Sequence, residues 1–162
     1  MKALWTAAAI LAALVVQSAL SASLPSQGRI LDPFLIVVVY CGLTGGEIHG
    51  MLAGVAAGWV QDIHFGGPVA GLSALTKLLL GFGVGVAGTR FFIQGTAPRL
   101  LTLFTAAAVD AVLFEKLAMT FDVPTNGLSP LGLLARASVN ALVGVAAFEL
   151  LDLRRRRQEA RP

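Results

Sequence analysis

Few side chains in this sequence can do chemistry, and most of them interrupt otherwise apolar runs. Asp62, Lys77, Asp110, Glu115, Lys116, Arg136 and Asn140 are the polar and ionisable residues in question. Acids and bases at such positions can pair to hold helices together, or they can line a polar cavity. Other chemistries lack their parts. His49 and His64 are the only histidines, and a helix between them would hold them about 22 Å apart, too far to share a metal. Asp110 and Glu115 fall on different faces of their helix, which argues against a paired-acid centre. Serines occur without a nearby histidine base, and there is neither a Ser-x-x-Lys pattern nor a Walker-type phosphate loop. The lone Cys41 excludes an intramolecular disulfide and argues against a thiolate cluster. An enzyme is therefore not expected: no catalytic residue, cofactor or metal is assigned. An ATP-driven pump is excluded for this chain alone.

The elements that carry these residues follow from composition. Of 162 residues, 56% are apolar and 13% charged, with a mean hydropathy of +0.80. A soluble domain carries roughly a quarter charged residues. A water-soluble chain this small could not bury so much hydrocarbon, so its solvent is a bilayer. A span needs roughly 17–25 residues at about 1.5 Å each. The apolar runs predict an all-α, polytopic integral membrane protein with six transmembrane helices in one compact bundle. The expected spans are about 3–22, 31–44, 48–63, 71–90, 98–118 and 131–153, followed by a basic tail at 154–162. Lys2, the first apolar run and Ser21-Ala22-Ser23 look like a cleavable signal peptide, but five further apolar runs favour a retained span. The second and third runs are short, and Gly45-Gly46-Glu47 between them predicts a tight turn and a hairpin.

Charge fixes the expected orientation. Six spans put Lys2, Arg90, Arg99 and Arg154 to Arg157 on one face, while the opposite loops around 23–32, 64–70 and 119–130 hold only Arg29. By the positive-inside rule both termini are cytoplasmic. The net charge of +3 follows this topology rather than a nucleic-acid stripe, so no nucleic acid is expected. The arginine block predicts an anchor to anionic membrane lipid, with Glu149 and Asp152 neutralising part of it.

Depth along the spans groups the polar residues. Glu115 lies about 24 Å from the cytoplasmic side and Arg136 at the same level, with Asp110 and Asn140 matched about 8 Å deeper. Lys77 and Asp62 also fall in the outer half. The expectation is one outward polar layer, held by Glu115–Arg136 and Asp62–Lys77 pairs or else open to a ligand. Gly50, Gly54 and Gly58 repeat every four residues, as do Gly81 and Gly85. Such small-residue seams let helix backbones touch. Packing within the bundle is the expected use, and a homodimer stays open as the alternative.

The stretch Gly50-x3-Gly54-x3-Gly58-x2-Gln61-Asp62, then Gly66-Gly67-Pro68, Gly71-Leu72, Ala74-Leu75 and Lys77, carries a family resemblance. It resembles the rod shape-determining protein MreD family, in which a Gln-Asp or Asp at a helix end precedes a Gly-rich turn and a Gly-Leu-x-Ala-Leu stretch. The resemblance implies a non-enzymatic subunit of the bacterial elongation machinery, in the inner membrane. It would partner MreC and work with MreB, RodA and its transpeptidase, directly or indirectly, to organise sidewall peptidoglycan synthesis. On this chain the matched positions are Gly54, Gly58, Gln61, Asp62, Gly67 and Gly71. The Asp62 turn and the outer polar layer would then receive the partner's membrane-proximal segment.

The alternative is a substrate-binding S component of an energy-coupling-factor vitamin transporter, to which the expected six-span layout is similar. Ala8-Ala12 and Ala9-Ala13 would serve as its small-residue pairs. Its outer loops offer few aromatic or hydrogen-bonding residues to enclose a vitamin. Neither Trp5 nor Trp59 falls near the outer layer.

Overall fold

The computed structural model describes residues 2–23, 30–66, 69–91, 93, 95–123, 127 and 129–159, with backbone alone for Lys2 and 155–159. The described residues form five α-helices: α1 (Lys2–Ser23), α2 (Pro33–Phe65), α3 (Leu72–Arg90), α4 (Thr96–Thr120) and α5 (Pro130–Glu159). The protein is thus an all-α membrane protein.

The span count differs from expectation. Among the described residues four helices are long and apolar enough to cross a membrane, covering 3–23, 33–65, 72–90 and 130–154. Two causes account for the difference from six. The expected spans 31–44 and 48–63 belong to one continuous element, α2, bent at Gly46. The expected span 98–118 lies in α4, where Arg99, Asp110, Glu115 and Lys116 dilute the apolar character.

The bend in α2 is a reversal. Asp32 caps its start, accepting the Leu35 N–H at 3.1 Å, and Pro33 follows where a missing N–H costs nothing. Gly46 then takes φ 80° and ψ −173°, a conformation that is essentially glycine's alone. The arms 33–45 and 47–65 fold back on each other. Phe34 and Phe65 stack edge-on with ring centroids 6.3 Å apart, whereas a straight helix would hold them about 46 Å apart. The hairpin read at Gly45-Gly46-Glu47 therefore exists, with its tip at one residue.

The second arm lies directly on α3. A Cβ added at Gly50 would overlap the Gly81 carbonyl, one at Gly54 the Lys77 carbonyl, and one at Gly58 the Ala74 backbone. Gly85 faces the Gly46–Glu47 backbone in the same way. In lipid, where apolar surface gains nothing by leaving its solvent, such backbone contact supplies the dispersion that holds two helices together. The glycine seam is thus closed inside the chain.

Around this pair the remaining helices build two apolar clusters. Leu35 and Val39 of α2, Leu80 and Val84 of α3, Leu103 of α4 and Phe148 of α5 share the larger one. Ile10 and Ala13 of α1 meet Phe34, Val38 and Ala57 in the smaller. The other side of α1 is open, with Leu4, Trp5, Leu11 and Val15 exposed as lipid-facing residues would be. Hydroxyls tie α1 to the hairpin at both ends, Thr6 to His49 at 3.2 Å and Ser18 to His64 at 3.3 Å.

These contacts define two ends of the bundle. At the tip end Thr6 meets His49, Leu43 meets Gly88, and Tyr40 stacks on Phe148 with centroids 5.1 Å apart. The start of α1 and the end of α5 both lie there. At the other end Ser18 meets His64, Phe34 meets Phe65, and Asp32 meets Lys77.

Candidate functional site

The end opposite the tip holds a knot of charge. Asp32 starts α2, Lys77 lies one turn and a half into α3, Asp110 sits in α4 and Arg136 in the second turn of α5. Lys77 Nζ is 2.8 Å from Asp32 Oδ2 and 3.6 Å from Asp110 Oδ1. Arg136 Nη2 is 3.1 Å from Asp110 Oδ2 and 3.8 Å from Asp32 Oδ2. Each cation therefore touches both anions, and the four formal charges cancel. The side chains of Asp32, Lys77 and Asp110 are each 3% exposed, that of Arg136 26%.

A single unpaired charge at the bilayer centre costs about 2.5–3.5 kcal/mol on insertion scales. A closed alternation of two acids and two bases avoids that cost and joins four helices at one point. Asn140, fully buried, completes the knot. Its Nδ2 donates to the Ile30 and Arg136 carbonyls at 2.8 Å each, and its Oδ1 accepts the Asp32 N–H at 2.8 Å. Gln61 Nε2 donates to Asp32 Oδ2 at 3.5 Å. Gln61 Oε1 and Arg136 Nε stay buried without a hydrogen bond.

Of the expected polar layer, Lys77, Asp110, Arg136 and Asn140 come together, but through different partners. Asp62 does not reach Lys77. It accepts backbone N–H groups at the start of α3: Gly71 at 2.9 Å, Ser73 at 3.1 Å and Ala74 at 3.4 Å. The cause is local, since a helix start exposes orphan donors and a positive dipole end. Gly71, the N-cap residue, has no side chain to serve them. Arg136 pairs with Asp110 because α5 packs on α4 with Gly144 against Leu103, a register that brings residue 136 level with 110–111 rather than 115. Glu115 is half-buried further along α4, and Lys116 is exposed. Asp152 at the tip end binds Arg99 at 2.6 Å and Glu149 accepts from the Thr96 hydroxyl at 2.8 Å, so these acids join α5 to α4.

The matched motif positions have distinct structural uses. Gly54 and Gly58 are the seam, Gln61 touches the quartet, and Asp62 with Gly71 forms the α2–α3 junction. Gly66 ends α2 with φ 65°, its N–H bonding the Asp62 carbonyl. Gly67 lies outside the described residues. Asp32, the acid shared by both cations, is the residue that sequence reasoning missed. The signal was there: Asp followed by Pro is a helix-start signature, which fixes that carboxylate at the mouth of the bundle.

The family model of the rod shape-determining protein MreD matches residues 3–124. No curated protein and no solved structure matches the chain. The match takes in Asp32, Lys77 and Asp110 and ends before Arg136 and Asn140.

Proposed function

The chain belongs to the family of the rod shape-determining protein MreD, and on that premise we propose that it is a non-catalytic membrane scaffold of the bacterial elongation machinery. In this reading it resides in the inner membrane and partners MreC. It acts with MreB, RodA and its transpeptidase, directly or through MreC, on sidewall peptidoglycan synthesis and hence rod shape.

One observation carries the scaffold reading over a ligand carrier. The polar groups of the quartet bond to one another and to backbone, fixing four helices rather than lining a space for substrate. A vitamin-binding S component needs such groups turned toward a ligand. The partner would dock at the quartet end, where Arg136 is the member open to the surface and the Asp62 cap fixes the α2–α3 turn.

We further propose six crossings with both termini in the cytoplasm. The opposed directions of the two α2 arms support this count, as does the gathering of Arg90, Arg99 and Arg154 at the end where α1 begins. The first arm, about 20 Å long, is short for a span, and its place inside the bundle together with local bilayer thinning accommodates the mismatch. In α4, Asp110 is neutralised within the quartet, while Arg99 and Lys116 lie near the helix ends.

The experiment is replacement of the resident family member in a rod-shaped bacterium by this chain. Rod width should be restored and MreC should co-purify from membranes. Round cells and no recovered MreC, with the protein stably inserted, overturn the reading.

A further inference from the structure

We propose that the cleft between α3 and α4 binds one anionic phospholipid, headgroup at the tip end and one acyl chain running up the helices. The inference needs only that the chain lies in a bilayer and does not depend on the choice of protein partner.

Two concavities meet there. One, of about 410 Å³, is lined by the polar side chains of Tyr40, Thr44, Thr89, Arg90, Arg99 and Asp152, the last held by Arg99. The other, of about 490 Å³, is almost wholly apolar and runs between α3 and α4 from Phe91 and Pro98 to Val109 and Leu113. Phe91 and Ile93 line both, so the polar pocket adjoins the apolar groove. Along α4 the groove covers about 22 Å, enough for a chain to cross one leaflet of a core about 30 Å thick.

The charge at the pocket selects the headgroup. Arg99 is held by Asp152 at 2.6 Å and lies 6.0 Å from the Phe148 ring centroid. Arg90 is exposed at the pocket edge, and among the described residues no acid pairs with it. A phosphodiester would supply that missing anion. Gly83, on the groove wall, leaves open space: a Cβ built there meets nothing within 4 Å. That gap contrasts with the closed seam on the opposite face of the same helix.

The test is native mass spectrometry of the purified full chain titrated with phosphatidylglycerol or phosphatidylcholine of identical acyl chains. Arg154 to Arg157 are changed to Gln throughout, which removes generic attraction by the tail. Phosphatidylglycerol should be retained about fivefold better, the worth of one surface cation. Arg90→Gln should equalise the two lipids, while Arg90→Lys keeps the preference. Gly83→Leu, or Thr105→Phe as a second groove-filling variant, should lower retention of both lipids about fivefold or more. Equal retention at the start, a preference that survives Arg90→Gln, or groove-filled variants that bind normally overturn the proposal. So does displacement of the lipid by an equal amount of glycerol phosphate, which would mark a soluble anion site instead.

Discussion

Lys77 reaches Asp32, 45 residues earlier in the chain, at 2.8 Å, with both side chains 3% exposed. The contact joins the second turn of one helix to the cap of another at the point where Asp110 and Arg136 close the circuit. Asp32 thus serves twice: Oδ1 starts α2 through the Leu35 N–H, and Oδ2 receives the cations. Helix initiation and bundle assembly share one carboxyl group.

Removing one charge should therefore hurt more than removing a balanced pair. Lys77→Met leaves two carboxylates facing one guanidinium, and about 3–5 kcal/mol of stability should be lost, the usual cost of orphaning a buried ion. Lys77→Met with Asp32→Asn restores neutrality and leaves Arg136 with Asp110. The double variant should melt above the Lys77→Met single variant in detergent. Strictly additive losses across a double-mutant cycle would show that the two residues do not interact.

The Asp62 cap makes a local prediction. Asp62→Ala removes the acceptor of the α3 N-terminal amides and should cost about 1–2 kcal/mol, whereas Asp62→Asn retains most of the bonds. Hydrogen exchange at the amides of Gly71, Ser73 and Ala74 reads this directly. Exchange there should rise sharply in Asp62→Ala and little in Asp62→Asn. Unchanged protection in both would mean that the carboxylate does not hold the α3 start.

The seam separates two glycines that look alike in sequence. Gly54 and Gly83 are both mid-helix, yet a Cβ at Gly54 overlaps the Lys77 carbonyl and one at Gly83 meets nothing. Gly54→Ala should destabilise by about 1–3 kcal/mol through forced separation of backbones. Gly83→Ala should be neutral or stabilising by about 0.5–1 kcal/mol, since alanine restricts the helix less than glycine. Thermal melts of the two variants side by side decide it, and equal losses would remove the seam as the cause.

What could be read in advance follows the range of each interaction. Period and apolarity are local, so the positions of α1, α3 and α5 and the turn at Gly46 were legible. Gly50, Gly54 and Gly58 were legible as a close-contact seam, but four-residue spacing serves a homodimer or a bundle interior alike, and only the fold shows α3 as the seam's partner. Pair identity was not legible. Depth along ideal spans matched Asp62 with Lys77, but the orphan amides at Gly71 and Ser73, nine and eleven residues on from Asp62, claim that carboxylate first. Asp32 was assigned no role where the 23–32 loop meets the 31–44 span, although its cap geometry carries it into the knot. The 98–118 run was equally legible as a helix, α4, although its own charges keep it out of the four described helices apolar enough to cross a membrane.

Gly46 makes the last prediction, about the hairpin itself. Its φ of 80° with ψ of −173° lies where side chains bearing a Cβ are strained. Space is not the obstacle, since the nearest atom to an added Cβ is a Thr89 methyl at 3.6 Å, an ordinary contact. The cost of Gly46→Ala is therefore conformational, about 1–3 kcal/mol, and it acts on the direction of the chain. Relief of that strain lets 33–65 straighten, which parts Phe34 from Phe65 and draws Gln61 away from Asp32. Cross-linking a Phe34→Cys, Phe65→Cys pair (with Cys41→Ser to remove the native thiol) measures the closure. Cross-linking should be efficient with Gly46 in place and fall severalfold in the Gly46→Ala variant. Undiminished cross-linking would show that the reversal is held by the α3 seam alone and that the tip residue is replaceable.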